Sequence, residues 1–157
     1  SVGGGSLMCG IIEGLFRNNM ATVPVIAVET VGADSLATSL SAGQHLELDD
    51  ITSLATSLGA KKVAKATYDW CYKHEVVSHV VSDMEAVNSC LEFCNDHRLL
   101  VEPACGATLS TLYNPIEFLM DKKNILVIVC GGSGVTIDKM NDWKIKMDNN
   151  RMYLDNK

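Results

Sequence analysis

The amino-acid sequence predicts an α/β fold of three layers, in which a mostly parallel, twisted sheet carries helices on both faces. Short apolar runs rich in β-branched residues alternate with segments whose apolar residues recur every three to four positions. This alternation of strands and helices is typical of a parallel sheet. Ligands of such sheets bind at the carboxyl ends of the strands. The glycine-rich turns after Val2 and Cys130, together with the strand-ending Glu29, are therefore candidate site positions.

The composition is typical of a compact globular protein. The chain has 157 residues, of which 47% are hydrophobic and 20% charged, enough for one domain with a sizeable core. The net charge of −6 argues against nucleic acids and anionic membranes as partners. No apolar run of the sequence reaches the length of a membrane span.

The cysteines lie within apolar helical or strand patterns. This predicts reduced, buried thiols of a cytosolic protein rather than a disulfide framework. There are six of them: Cys9, Cys71, Cys90, Cys94, Cys105 and Cys130. Cys90-x-x-x-Cys94 followed by His97 leaves a zinc site open, although no nearby spacing supplies the further ligands.

The first predicted helix, residues 7–19, follows three consecutive glycines. Glycine lets the backbone turn sharply and approach a ligand closely. The start of a helix presents unpaired N–H groups at the positive end of its dipole. The combination is typical of a phosphate site, although a tight turn without a ligand explains the same glycines.

Two common phosphate motifs are excluded by spacing. Gly5 and Gly10 have the separation of a Walker A loop, but Ile11 follows where that motif needs a lysine. Gly3 and Gly5 begin a dinucleotide fingerprint, but Met8 stands where its third glycine belongs. The segment therefore predicts a site for a single phosphate group rather than for a pyrophosphate.

The next elements follow from their local patterns. A nearly continuous apolar run predicts a buried strand over residues 23–30. Asp34 begins a short helix that Gly43 ends. Residues 51–58 are rich in hydroxyl groups, which compete with helical hydrogen bonds, and they are predicted as an irregular loop. An amphipathic helix over residues 61–74 follows.

The second half of the chain continues the alternation. A strand is predicted over residues 76–82, and Ser82 and Glu85 form a capping box at the start of the next helix. Residues 99–101 are predicted as a short strand. Pro103 is well placed at the first position of a helix to about residue 113, and Pro115 should break it.

The last predicted elements are a buried strand over residues 124–130, a glycine turn over 131–134 and a helix from 137 to about 147. Residues 148–157 are predicted to be a polar, frayed tail.

Several blocks of the sequence resemble, in the same order, the catabolic L-serine/L-threonine dehydratases, which are pyridoxal-phosphate lyases of fold type II. They run from Ser1 to about Lys144 and read SVGGGSL, VPVIAVETVGADS, ITSLATSLGAKKV, VEPACGATLSTLY and VIVCGGS. The resemblance implies that residues 1–147 are the C-terminal part of a catalytic domain that binds pyridoxal 5′-phosphate.

The resemblance also implies site residues. The cofactor phosphate would lie on Gly3, Gly4, Gly5, Ser6 and Leu7. Cys130 would lie beside the pyridine nitrogen, and Ser57 and Gly59 would line the active site. A monovalent cation, K⁺, would be held by Gly3, Glu29, Ala33, Ser35, Leu58 and Ala60. As an alternative for Glu29, local N–H groups would cap its carboxylate.

The implied reaction converts L-serine, L-threonine or both to a 2-oxo acid and ammonia, in an enzyme that is a homodimer. The family carries its Schiff-base lysine in an S-x-K motif upstream of the glycines, and this sequence has no such motif. We therefore expect a fragment or processed product that contains no catalytic residue and is inactive alone.

Two other functions stay open at this point. One is that of another fold-type II enzyme, such as a β-replacement synthase. The other is that of a non-catalytic α/β module that binds phosphate or pyridoxal phosphate. Cys130 favours the dehydratase, because relatives more often have serine at this position.

Overall fold

The structure, a computed structural model, describes the backbone of residues 1–155 and the side-chain surroundings of residues 1–146. The chain divides into two compact units, Ser1–Ser82 and Asp83–Lys157. Within the described residues, no helix is both long and apolar enough to cross a membrane.

The first unit is built on two parallel strands. Strand β1 is Val25–Thr30 and strand β2 is Val76–Val81, with Val25 opposite Val76 and Thr30 opposite Val81. Both are rich in β-branched residues, which favour a pleated, packed surface. The α/β class and the parallel pairing predicted from the sequence are confirmed.

Helices and a buried cluster surround these strands. The helices of this unit are α1 (Ser6–Arg17), α2 (Ser35–Ala42) and α3 (Lys65–Trp70), and a 3₁₀ turn covers Thr56–Leu58. The core contains Val2, Met8, Ile12, Ala27, Leu36 and Val63. The Val2 N–H donates to the Val28 carbonyl at 2.8 Å, which ties the segment before the glycines to β1.

The second unit is helical. Its helices are α4 (Asp83–His97), α5 (Pro103–Tyr113) and α6 (Ile137–Asp155). Gly106 lies where α4 and α5 meet, and a Cβ there would overlap the carbonyl of Ala86 and the thiol of Cys90. The core contains Cys90, Phe93, Val101, Cys105, Leu109, Val135 and Met140. Helix α5 ends before Pro115, as its ring requires.

Two predicted strands are wrong. Residues 99–101 and 124–130 form no strand in the described part of the chain. The residues that follow the two segments are joined by a hydrogen bond from the Glu102 N–H to the Gly131 carbonyl at 3.2 Å. A strand needs a run of such bonds to a neighbour, and Leu126 is 89% exposed rather than buried. Cys130 therefore does not end a strand.

Two predicted helices have different bounds. The helix predicted over residues 61–74 is reduced to α3, because the Ala64 N–H donates to the Gly4 carbonyl instead of entering a helical turn. Helix α6 runs through the predicted polar tail to Asp155, since no glycine or proline interrupts it. The last two tail residues lie outside the described residues.

Candidate cofactor-binding site

The glycine loop, residues 3–7, turns sharply into helix α1. Gly5 is the N-cap of this helix and has a left-handed φ of 91°. A Cβ at Gly5 would overlap the side chain of Thr67. Conformation and space therefore both require glycine at this position.

The start of α1 is suited to binding an anion. The Cys9 N–H donates to the Gly5 carbonyl at 3.0 Å and closes the first turn, so the N–H groups of Ser6, Leu7 and Met8 precede that turn. No side chain caps the helix, and no acidic residue lies in its first turn. Ser6 and Leu7 are exposed. Uncapped N–H groups at the positive end of a helix attract phosphate.

The loop is held from one side and open on the other. The Gly4 carbonyl accepts hydrogen bonds from the Ala64 N–H at 2.9 Å and from the Thr67 hydroxyl at 3.1 Å. A Cβ at Gly4 would meet no atom within 4 Å. This arrangement fixes the backbone while leaving room for a ligand in front of it.

The hydroxyl-rich loop lies against the glycine loop. A Cβ at Gly3 would come within 2.8 Å of the Ser57 carbonyl and 3.3 Å of the Leu58 Cα, so only glycine permits this contact. The Ser57 side chain is exposed. A Cβ at Gly59 would come within 2.9 Å of the Thr56 carbonyl. The structure thus brings together two segments that the resemblance assigns to one site.

Glu29 lies at the end of β1 and is fully buried. Its carboxylate accepts hydrogen bonds from the N–H groups of Leu36 at 2.9 Å and Ala37 at 2.8 Å, at the start of α2. Burial raises the pKa of Glu29 to about 7, against the lowering effect of these two bonds. The local N–H groups expected in the alternative interpretation are present.

Other residues that the resemblance assigns to the cation differ in their hydrogen bonding. The Ser35 hydroxyl is buried and has no hydrogen-bond partner among the described residues. The Leu58 carbonyl accepts from the Ala60 N–H at 2.7 Å. Ala33 closes a turn after β1 through its N–H and the Thr30 carbonyl, 2.8 Å apart.

Two hydrogen bonds join the end of β1 to the hydroxyl-rich loop. The Thr30 and Ser53 hydroxyls are 2.7 Å apart, and the Thr52 N–H donates to the Gly32 carbonyl at 3.0 Å. The segments that carry Gly3, Glu29 and Leu58 are therefore neighbours in one network. The orphaned Ser35 hydroxyl belongs to the residue before Leu36, whose N–H binds the buried Glu29 carboxylate, and such oxygen groups fit a hard cation.

The thiol-based alternative for a metal is not supported. In the described part of the chain, no group of three or more His, Cys, Asp or Glu side chains is arranged to hold a metal ion. Cys90 is fully buried within the apolar core of the second unit. The His97 ring lies against Phe93, with centroids 4.5 Å apart.

Cys130 lies in the second unit and is exposed. Interaction with the Cys130 thiol, together with burial, raises the pKa of the Cys105 thiol.

Two residues that support the site could not be predicted from the sequence. Thr67 supports both Gly4 and Gly5 from α3, and Ser53 ties its loop to β1. Both are far along the chain from their partners, so no local pattern points to these roles.

These features define an α/β protein with a glycine loop that is open to a phosphate group at a helix start. The chain matches the family of pyridoxal-phosphate dependent enzymes over residues 1–131. It belongs to this family.

Within this family, the chain is similar in sequence to serine dehydratases. The chain is 41% identical over 155 residues to a serine dehydratase-like protein of Mus musculus, covering 94% of this chain and 47% of that protein. It is 42% identical over 147 residues to an L-serine dehydratase of Dictyostelium discoideum, covering 90% of this chain and 42% of that protein. The chain spans about half the length of the curated relatives it matches.

The fold is also similar to that of solved structures. The fungal L-serine ammonia-lyase from Rhizomucor miehei superposes with a TM-score of 0.89 at 34% identity, covering 93% of this chain and 48% of that one. Maize serine racemase shares the fold, with a TM-score of 0.76 at 23% identity. Its superposition covers 92% of this chain and 46% of the racemase chain.

Proposed function

We propose that this chain is the phosphate-holding part of a pyridoxal-phosphate dependent ammonia-lyase. The enzyme would convert L-serine, L-threonine or both to a 2-oxo acid and ammonia. The observation that carries the proposal is the glycine loop, which is open at Gly4, supported by Thr67 and continuous with an uncapped helix start. The serine dehydratases among the relatives support the substrate class.

The loop residues would act on the phosphate of the cofactor. The N–H groups of Gly3, Gly4, Gly5, Ser6 and Leu7 are the proposed donors. The Ser6 side chain is exposed at the same point and adds a hydroxyl group. When bound, pyridoxal phosphate supplies the electron sink for loss of the α-proton and the β-hydroxyl group. The chain's own contribution is to hold the phosphate without a lysine or an arginine.

A monovalent cation, K⁺, is proposed beside the loop. Its ligands would be oxygen atoms of Gly3, Glu29, Ala33, Ser35, Leu58 and Ala60. The orphaned Ser35 hydroxyl supports this, because a buried hydroxyl group without a partner is destabilising. Glu29 is compatible with both roles, since each carboxylate oxygen that accepts one N–H retains another lone pair.

We also propose roles for Ser57, Gly59 and Cys130. Ser57 and Gly59 would line the substrate side of the site, next to Gly3. Cys130 would lie beside the pyridine nitrogen, where a thiol is a weak hydrogen-bond donor. The complete enzyme would be a cytoplasmic homodimer, which sedimentation of the full-length protein would test.

A second candidate function is that of a non-catalytic phosphate-binding module. The specific observation in its favour is that the glycine loop and the uncapped start of α1 suit a phosphate group by themselves. Lys61, Lys62 and Lys65 are exposed, and Lys65 is paired with Asp69 at 2.7 Å. The same phosphate site serves both functions, so activity of the full-length protein separates them. A β-replacement synthase has less support, because the relatives that are 41% and 42% identical are named serine dehydratase-like and L-serine dehydratase.

The proposal is tested by ligand binding to the 157-residue chain. Pyridoxamine 5′-phosphate is the suitable probe, because it has no aldehyde that would react with surface lysines. Gly4→Asp places a like charge in the open space and should weaken binding at least tenfold, about 1.4 kcal/mol. Isothermal titration calorimetry measures the dissociation constant.

Gly14→Asp is the matched control. Gly14 belongs to the same helix, and a Cβ there also meets no atom within 4 Å, but it lies about two turns beyond the loop. Its affinity should equal that of the wild type. Equal affinity of all three proteins, or no binding to a folded wild-type chain, would remove the phosphate site from the proposal.

A further inference from the structure

The second glycine turn, residues 131–134, follows Cys130 and precedes helix α6. The segment that leads into it, residues 124–130, forms no strand in the described part of the chain, so no ladder of strand hydrogen bonds holds the turn there. Three of its four residues are glycine, and Gly131 has a positive φ of 147°. Glycine loses more conformational freedom on folding than any other residue. The location of Cys130 therefore depends on the specific contacts of this turn.

Glu102 contacts both ends of the second glycine turn. Its N–H donates to the Gly131 carbonyl at 3.2 Å, and its Oε2 atom accepts from the Gly134 N–H at 3.3 Å. Glu102 is itself fixed at the start of α5, because its carbonyl accepts from the N–H groups of Cys105 at 2.8 Å and Gly106 at 2.9 Å. One residue thus links the turn to the first turn of a helix.

The turn is packed closely against the segment before α5. A Cβ at Gly134 would come within 2.9 Å of the Glu102 Oε2 atom. A Cβ at Gly132 would overlap the Leu100 carbonyl. The glycines therefore permit the approach that brings the Glu102 carboxylate within reach of the Gly134 N–H.

The end of the turn that leads into α6 has further support. The Lys139 ammonium donates to the Gly134 carbonyl at 2.8 Å, and the Val135 N–H donates to the Gly132 carbonyl at 3.1 Å. Val135 is buried in the core of the second unit. At the other end, beside Cys130, the bond from the Glu102 N–H to Gly131 joins the turn to the start of α5.

We propose that Glu102 is a positioning residue, which holds the second glycine turn at Gly131 and Gly134 and thereby fixes the location of Cys130. The inference rests on the proposed function, in which the Cys130 thiol lies beside the pyridine ring. Glu102 acts on the turn rather than on the substrate or the cofactor. Its side chain serves through its length and its acceptor oxygen, and the negative charge is not required.

Two variants separate the reach of the side chain from its charge. Glu102→Gln keeps the length and an acceptor oxygen but removes the charge. Glu102→Asp keeps the charge but is shorter by one methylene group, so it should lose the bond to Gly134. Aspartate is also a favoured N-cap residue, and Glu102 is the N-cap of α5, so the helix start is retained. The bond from the backbone N–H to Gly131 is available in both variants.

Amide hydrogen exchange of the 157-residue chain, followed by NMR, measures the contact directly. The Gly134 N–H should exchange roughly threefold to tenfold faster in Glu102→Asp, the range expected for the loss of one hydrogen bond. Glu102→Gln should exchange as the wild type does. Glu92→Asp, at an exposed glutamate of α4 in the same unit, is the matched control and should change nothing at Gly134. Equal exchange at Gly134 in Glu102→Asp and wild type, or faster exchange throughout the second unit, would overturn the inference.

Kinetics of the complete enzyme with saturating cofactor test the consequence for Cys130. Glu102→Asp should lower kcat roughly threefold to tenfold with an unchanged KM for L-serine, and Glu102→Gln should restore it. In a Cys130→Ala background, Glu102→Asp should lower kcat no further, because its effect passes through Cys130. Additive losses of kcat, or an effect on KM alone, would overturn the positioning role.

Failure of this inference is distinguishable from failure of the proposed function. Equal kcat for the wild type and Cys130→Ala would exclude the positioning role of Glu102 in catalysis, together with the role of Cys130 at the ring. Binding of pyridoxamine 5′-phosphate to the glycine loop is measured separately and depends on neither residue. Loss of that binding would remove the phosphate site and leave the exchange result at Gly134 unaffected.

Discussion

The substitution Gly5→Ala tests the geometry of the glycine loop most directly. Gly5 has a φ of 91°, and a non-glycine residue in left-handed backbone costs about 1–2 kcal/mol. The new methyl group would overlap Thr67, and overpacking costs typically about 1–3 kcal/mol. We therefore expect Gly5→Ala to lower the free energy of unfolding by about 2–5 kcal/mol.

Gly10→Ala is the control, and it should change stability in the opposite direction. Gly10 lies within α1, where a Cβ would meet no atom within 4 Å. Alanine is favoured over glycine in a helix by roughly 0.5–1 kcal/mol, so this variant should be more stable than the wild type. Each variant adds one methyl group to the wild type, and the two positions are five residues apart.

Urea unfolding, followed by circular dichroism, measures the effect. With a slope of about 1–3 kcal/mol per M, Gly5→Ala should lower the midpoint by roughly 1–2 M. Hydrogen exchange of α1 would locate the change in the first unit. The double variant Gly5→Ala/Thr67→Ala should recover part of the loss, through coupling of about 0.5–3 kcal/mol between touching residues. Shifts of the same sign and size for Gly5→Ala and Gly10→Ala would refute the left-handed, tightly packed Gly5.

Three further predictions concern charge, sulfur and activity. Because burial raises the pKa of Glu29 from 4.5 to about 7, its contribution to stability is complete below pH 4.5 and is lost as the pH rises through about 7. Glu29→Gln should remove this pH dependence, and an unchanged pH profile in urea unfolding would contradict the prediction. In the complete enzyme with saturating cofactor, Cys130→Ala should lower turnover while Cys130→Ser retains most of it; equal turnover for wild type and Cys130→Ala would exclude a role at the ring. The 157-residue chain alone should form no pyruvate from L-serine, since it has no S-x-K lysine, and a lactate dehydrogenase-coupled assay would detect any that forms.

Predictions made from the sequence were most accurate where neighbouring residues determine the structure. The strands β1 and β2, helix α1 and the end of α2 at Gly43 follow from periodicity and from glycine chemistry. Gly43 indeed has a left-handed φ of 63°. The family was also recognisable from short blocks, because the glycine loop and its flanking apolar residues are contiguous in the chain.

The predicted strand over residues 124–130 is wrong because local composition does not determine strand pairing. Its apolar, β-branched composition is suited to a strand, but a strand exists only where a neighbour completes its hydrogen bonds. Here the segment forms no ladder in the described part of the chain, and Leu126 is 89% exposed. Composition gives the propensity of a segment, whereas pairing depends on residues elsewhere.

The amino-acid sequence alone determined the fold class, the family and the segment that is available for a phosphate group. Only the tertiary structure decided which residues support that segment: Thr67 behind Gly5, Ser57 against Gly3, and the N–H groups of α2 on Glu29. The physical reason is chain separation. Helical periodicity and turn chemistry act over a few residues, whereas these contacts join positions that only the path of the folded backbone brings together.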